Sequence, residues 1–146
     1  MVLNVTTDYA VRILVYLAAV RRQAPAQEVS EKMNIPGKYI TSIAKKLKDS
    51  GLISSTQGSS GGYCLERDPS SINLADVIWV MENGIRLNHC DSCGRNCYLY
   101  GQHGTCPISN AYGTAKAVVE SVFARITIQD LAENSVSKNK WDHDDP

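Results

Sequence analysis

Four of the five cysteines fall within seventeen positions, as Cys90-x2-Cys93-x3-Cys97-x8-Cys106. Their thiolates are soft donors, and soft donors favour iron–sulfur clusters and zinc over hard cations. Four sulfurs are enough to hold a 4Fe-4S or 2Fe-2S cluster, or a tetrahedral zinc ion. His89 and His103 stand close by in the chain as further donors. A zinc ribbon wants two close pairs on a longer arm, and this spacing lacks that, so the pattern favours a cluster. The odd cysteine count disfavours a closed disulfide set, although a thiol switch in which Cys93 pairs with a neighbour uses the same atoms. Cys64 stands alone and reads as a small apolar residue.

A second group of residues suits nucleic acid. Lys38, Tyr39, Thr41, Ser42, Lys45, Lys46 and Lys48 share one segment with the apolar stripe Ile40, Ile43, Ala44 and Leu47. Thr41 and Ser42 carry hydroxyls able to meet base edges, and Tyr39 adds apolar area and a hydroxyl. Lys45, Lys46 and Lys48 suit phosphates. Shortly after comes Gln57-Gly58-Ser59-Ser60-Gly61-Gly62-Tyr63. There the glycines let the backbone approach a duplex, and the serines and amides can bond phosphates or minor-groove acceptors. Gln57, Ser59, Ser60, Gly61 and Tyr63 are therefore candidate contacts.

Charge is distributed in keeping with this. The net charge is zero, yet residues 1–65 hold eight basic and four acidic side chains, whereas 66–146 hold seven and eleven. A basic first half beside an acidic second half fits a nucleic-acid-facing head and a body turned away from it. With 146 residues, 43% of them hydrophobic, the chain can build one modest core or a small head with an oligomerisation element. No apolar run is long enough to cross a membrane. The apolar start is broken by Asp8 and Arg12 and has neither a basic leader nor a cleavage site, so a cytoplasmic protein is expected. No nucleotide-binding loop is found, so an enzyme with a small-molecule substrate is not expected.

These residues need elements to place them. Thr6 and Thr7 can cap a helix reaching about Arg22, with Ala10, Ile13, Leu14, Leu17 and Ala18 on its inner stripe. A short helix covers Ala26 to Met33. A turn at Asn34-Ile35-Pro36-Gly37 leads to a third helix, Lys38 to Ser50, stopped by Gly51. Leu52–Thr56 and Gly62–Arg67 read as strands around a glycine-rich tip. The result is a mostly α protein, a winged helix-turn-helix with a two-stranded wing. Residues 1–67 form the DNA-binding domain and 68–84 a connection whose helix, Leu74 to Glu82, is capped by Asn73. Residues 85–106 form the cysteine loop, which without a ligand would be unusually long for a compact protein. Residues 107–134 hold a long helix and a short final one, Ile128 to Glu133, capped by Thr127. Residues 135–146 form a polar, acidic, frayed tail. The long helix carries Ala111, Ala115, Val118, Val119, Val122 and Ile126 on one stripe. It is too apolar to stand alone, which predicts a homodimer on double-stranded DNA.

The sequence resembles the Rrf-two family of winged-helix regulators over residues 2–134. The likeness rests on Thr7-Asp8-Tyr9-Ala10-Val11-Arg12, on Ile35 to Leu47, and on Gly51-Leu52-Ile53 leading to Gly61-Gly62-Tyr63-Cys64-Leu65. Asn73-Leu74-Ala75-Asp76-Val77-Ile78 and Ile126-Thr127-Ile128-Gln129-Asp130-Leu131 complete it. The resemblance implies a homodimer built on the long helix, a DNA site of two related halves and, in cluster-binding members, three loop cysteines. Here Cys90, Cys97 and Cys106 match them. IscR-like members take a histidine three residues after the last cysteine as fourth ligand, where this chain has Ser109. NsrR-like members use an aspartate of the first helix, and Asp8 holds that place. The additional Cys93 leaves a second possibility for the fourth ligand. Gln57 stands where IscR-like members carry an arginine, so minor-groove contact is expected to be weaker or differently selective. The expected function is a repressor whose operator affinity is gated by a cluster sensing nitric oxide, redox state or iron–sulfur supply. A thiol switch or a zinc-binding regulator on the same fold is the alternative.

Overall fold

The computed structural model describes residues 2–88, 97–99 and 105–137. The first helix, α1 (Val5–Val20), turns Ala10, Ile13, Leu14, Leu17 and Ala18 into the core, as their spacing predicts. It begins before the expected threonine cap. Asn4 takes the N-cap position, and its carbonyl accepts the Thr7 and Asp8 amides at 2.9 and 3.3 Å. The reason lies in Thr7, whose side chain is wholly buried and therefore belongs inside the helix. Its hydroxyl donates to Glu82 Oε1, and the same oxygen accepts the Asn4 amide at 2.9 Å. Asn4 makes no side-chain cap of its own. A carboxylate from elsewhere in the chain thus serves the open end of α1, where a negative charge is favoured.

Next come α2 (Ala26–Met33) and α3 (Gly37–Asp49), the two limbs of the helix-turn-helix. Ile40, Ile43, Ala44 and Leu47 are buried as their helical period requires. The wing follows as β1 (Ile53–Thr56) and β2 (Gly62–Leu65), antiparallel and in register from Ile53 opposite Leu65 to Thr56 opposite Gly62. Both strands are shorter than predicted. Leu52 is a core residue whose amide bonds back to the Leu47 carbonyl at 2.9 Å, so it closes α3 rather than opening a strand.

A 3-10 turn, Pro69–Ser71, is capped by Asp68 and leads to α4 (Leu74–Glu82). Asn73 and Asp76 form the reciprocal cap of α4: the Asp76 amide donates to Asn73 at 2.9 Å, and the Asn73 amide donates to Asp76 at 3.2 Å. The helix stops at Asn83, in the left-handed region at φ 57°. The long helix α5 (Pro107–Phe123) has Pro107 in its first turn and buries no residue. The last helix, α6 (Ile128–Ser137), is capped by the mirrored pair Thr127 and Asp130, at 2.9 and 3.0 Å, and outruns the predicted stop at Glu133. It returns to the head. Ile128 is fully buried and Ala132 nearly so, both in the core that α1 occupies, and the Ile128 amide donates to the Ile72 carbonyl at 2.8 Å.

Removing the Glu82 carboxylate strands a buried hydroxyl and an exposed helix-end amide. Glu82→Ala is expected to lower unfolding free energy by about 1–3 kcal/mol, the usual cost of an unsatisfied buried polar group. Urea titration followed by circular dichroism measures this, and an unchanged midpoint would refute the capping role.

Candidate nucleic-acid interface and cysteine loop

On α3 the face opposite the core is fully available. Lys38, Thr41, Ser42, Lys45, Lys46 and Lys48 are exposed. Lys45 donates to Asp49 Oδ2 at 2.8 Å one turn along, and this bond raises the lysine's pKa, which keeps it charged. Tyr39 differs from its neighbours. Half-buried, it packs its ring against Tyr9 of α1 at 5.5 Å between centroids, and Lys38 Nζ lies 5.1 Å from its centre. Much of its apolar area is committed within the head, leaving the Thr41 and Ser42 side chains as the exposed small polar groups of this face.

At the wing tip Gln57, Ser59 and Ser60 are exposed, while Gly61 and Tyr63 are half-buried. Gly61 has a reason to be glycine that does not involve DNA: a Cβ there would lie 2.3 Å from the Thr56 carbonyl oxygen. Cys64, on β2, is half-buried, with Sγ 3.1 Å from Ser54 Oγ across the strand pair, in keeping with a packing role.

Two further connections hold the reading elements. Arg22 grips Glu28 of α2 through both guanidinium nitrogens, at 2.7 and 3.3 Å, and Tyr16 of α1 donates to the same carboxylate at 2.6 Å. The Arg22 bonds first, and the Tyr16 bond second, hold the Glu28 carboxyl below the ordinary glutamate range. The other is Gln23, which reaches the wing tip and donates to the Ser60 carbonyl at 2.7 Å. Sequence reasoning missed both. Tyr16, Arg22 and Glu28 belong to different elements, and no helical or strand period connects Gln23 with Ser60.

The cysteine loop is described only in part. Cys90 and Cys93, with His89 and His103, lie outside the described residues. Cys97 is a half-buried free thiol, and Cys106 is buried at the N-cap of α5. Ser109, one turn on, is half-buried. Asp8 stands exposed on the first turn of α1, with its carboxylate 2.8 Å from Arg12. Arg12 also reaches toward the Met33 carbonyl at the end of α2, at 3.4 Å. Among the described residues no three His, Cys, Asp or Glu side chains converge on one point. Beyond the loop, α5 leaves Ile108, Tyr112, Val118 and Val122 exposed, and Trp79 of α4 is 62% exposed.

Three helices, a wing and an uncovered basic face on the third helix define a winged helix-turn-helix protein. A family model described as "Rrf2: Iron-dependent Transcriptional regulator" matches residues 3–134, and the chain belongs to this family of transcriptional regulators. Its role is regulatory rather than enzymatic. The chain is 25% identical over 130 residues to the HTH-type transcriptional regulator NsrR of Bacillus subtilis (strain 168), covering 88% of both chains. It is 33% identical over 70 residues to the regulator IscR of Escherichia coli O1:K1 / APEC, covering 48% of this chain and 43% of that one. Among solved structures it resembles T. potens IscR with a TM-score of 0.72 at 20% identity, over 92% of this chain and 88% of that one. It also resembles CymR, the global cysteine regulator of B. subtilis, with a TM-score of 0.71 at 19% identity, over 92% and 98%. At these identities the structural likeness establishes the fold. No helix among the described residues is long and apolar enough to cross a membrane.

Because Glu28 titrates lower in the folded protein than in the unfolded chain, its contribution to stability is complete above the unfolded value, about pH 4.3. It disappears as pH falls through the folded value. The stability gap between the native protein and Glu28→Gln is therefore expected to be constant from neutrality to about pH 5 and to close in stronger acid. Denaturant midpoints measured across that range check this, and a gap that widens on acidification would refute it.

Proposed function

We propose that the protein is a homodimeric DNA-binding repressor whose grip on its operator is set by an iron–sulfur cluster held by the cysteine loop. The observation that carries the DNA half is the shared exposure of Thr41, Ser42, Lys45 and Lys46 on α3, on the same small head as the wing tip. The dimer is supported by α5, seventeen residues long without one buried side chain and with Val118 and Val122 about half exposed. An apolar helix of that length is covered at least cost by its own symmetry mate.

The donor set suits a soft metal centre. Cys90, Cys93, Cys97 and Cys106 supply four sulfurs from one segment of seventeen residues. With Cys90, Cys97 and Cys106 as thiolate ligands, the fourth position falls to Asp8 or Cys93. Asp8 is available at small cost, because an exposed ion pair such as that with Arg12 contributes only about 0–1 kcal/mol. When bound, a cluster supplies a centre reactive toward nitric oxide and oxygen and dependent on iron and sulfur supply. The chain's own part is mechanical. Asp8 stands on α1, α1 packs against α3, and a load placed on the first therefore bears on the helix that reads DNA. Two heads must match half-sites about 34 Å apart, so a small displacement costs much affinity.

Protein purified without oxygen is expected to be coloured, with iron and inorganic sulfide in matching amounts, and its affinity for a selected operator is expected to change when the iron is removed. Asp8→Ala should alter the visible spectrum or its response to nitric oxide, whereas no change would move the fourth ligand to Cys93 or a histidine. A colourless protein with stoichiometric zinc would overturn the cluster. The DNA half is tested separately. Lys45→Ala is expected to weaken binding to all sequences alike and to lower the salt slope by about 1. Thr41→Ala should change sequence preference instead, and identical effects of the two would overturn this assignment of α3.

A further inference from the structure

The wing is not a free hairpin. Residues 22–25, between α1 and α2, run along the outer edge of β2, where Ala24 pairs with Tyr63 in both directions at 2.9 and 2.8 Å. The approach is so close that a Cβ on Gly62 would sit 2.3 Å from the Ala24 carbonyl oxygen. One residue earlier, Gln23 donates to Ser60 at the tip itself. At its other end the same segment is fixed to both neighbouring helices, through Arg22 to Glu28 of α2 and through Glu28 to Tyr16 of α1.

A two-stranded ribbon is marginal alone and twists readily about its base. The base of this one continues from α3 through Leu52, which is buried. Its tip would pivot there if nothing else held it. The strap supplies a second anchor, and that anchor is referred to α2, the partner of α3 in the helix-turn-helix. The distance between the reading helix and the wing tip is therefore set by residues that are candidates for neither contact.

We propose that Gln23, held by the Arg22–Glu28–Tyr16 cluster, is a specificity-determining positioning residue. It fixes where the wing tip meets the duplex relative to α3, and so which bases beyond the reach of α3 are preferred. The proposal rests on the reading above that α3 and the wing both touch DNA.

The test is selection from a random duplex library with the full-length native protein, repeated with Gln23→Ala and with Gln23→Met, which keeps the length and removes the donor. Thr41→Ala marks the bases read by α3, and Gln57→Ala marks those read by the wing. In both Gln23 variants preference at the wing-marked bases is expected to fall roughly fivefold, the equivalent of one ordinary hydrogen bond. Preference at the α3-marked bases and affinity for random-sequence DNA should stay as in the native protein, with the Tm lowered by no more than about 4 °C. Unchanged preferences in both variants would overturn the proposal. So would a uniform loss at every base together with a lowered Tm, which would make Gln23 a stabilising residue only. If the native protein selects no sequence, the DNA-binding reading itself fails. If it selects one that Gln57→Ala leaves unchanged, the wing reads no bases, and the proposed role of Gln23 falls while that of α3 stands.

Discussion

Burial of α1 is the constraint on which the other elements depend. Its inner stripe, Ala10, Ile13, Leu14, Leu17 and Ala18, is 0–5% exposed and meets every other part of the head. α2, α3, α4 and α6 all pack on it, and so does the second strand of the wing. Each fully buried Ile or Leu contributes roughly 1.5–3 kcal/mol relative to exposure. Because α1 joins all of these, a change at α1 is felt across the head. The two alanines matter by their size, since they let neighbouring backbones come close without opening voids. The N-terminal end of this helix is finished by Glu82, a residue 75 positions from Thr7, which makes its start a tertiary feature.

The same constraint explains how the chain leaves the head and returns. It departs after Asn83 and comes back at Thr127, where Asn73 and Thr127 form a single bridge and the Leu74 amide donates to the Ile126 carbonyl at 2.9 Å. The return is thus tied to the start of α4, at the opposite end of that helix from the departure. The long helix between them touches the head mainly along α4 and gives nothing to its core. The helix leaves part of an apolar face uncovered, Val118 being 59% and Val122 49% exposed.

Much of this was legible in the residues themselves. The apolar periods of α1, α3 and α4 are local, and so are the capping pairs Asn73–Asp76 and Thr127–Asp130, each spanning three positions. Patterns of that kind are visible because the partners are neighbours on one helix. What stayed hidden was long-range. Nothing marks Glu82 as the cap of α1, and Thr7, with an ordinary capping side chain, pointed to the wrong start. Gln23 and Ser60 lie 37 positions apart and have no reason to be paired until the wing folds back on the first linker. Tyr39 was grouped with the DNA-facing residues by its place on α3, but its ring also has a partner on α1 that periodicity cannot supply. The cysteines point to chemistry because thiol donors crowded into one loop have few structural uses, and two of the four, Cys90 and Cys93, lie outside the described residues.

Lys45 shows how weak pairing and strong binding are combined on the reading face. Its bond to Asp49 joins two exposed side chains at i,i+4, a type of pair that solvent and salt leave weak. A phosphate offers the same ammonium group a contact that also releases a condensed counterion, so the exchange favours DNA. The aspartate nevertheless has a use. In the free protein it holds the lysine extended along α3 and cancels its charge, which weakens attraction to duplexes in general. On the proposed reading, a sequence that lets Thr41 and Ser42 reach base edges is what separates the right site from the rest. On that reading the basic face would give affinity for any duplex, and choice would be left to small side chains held in place by the core beneath them.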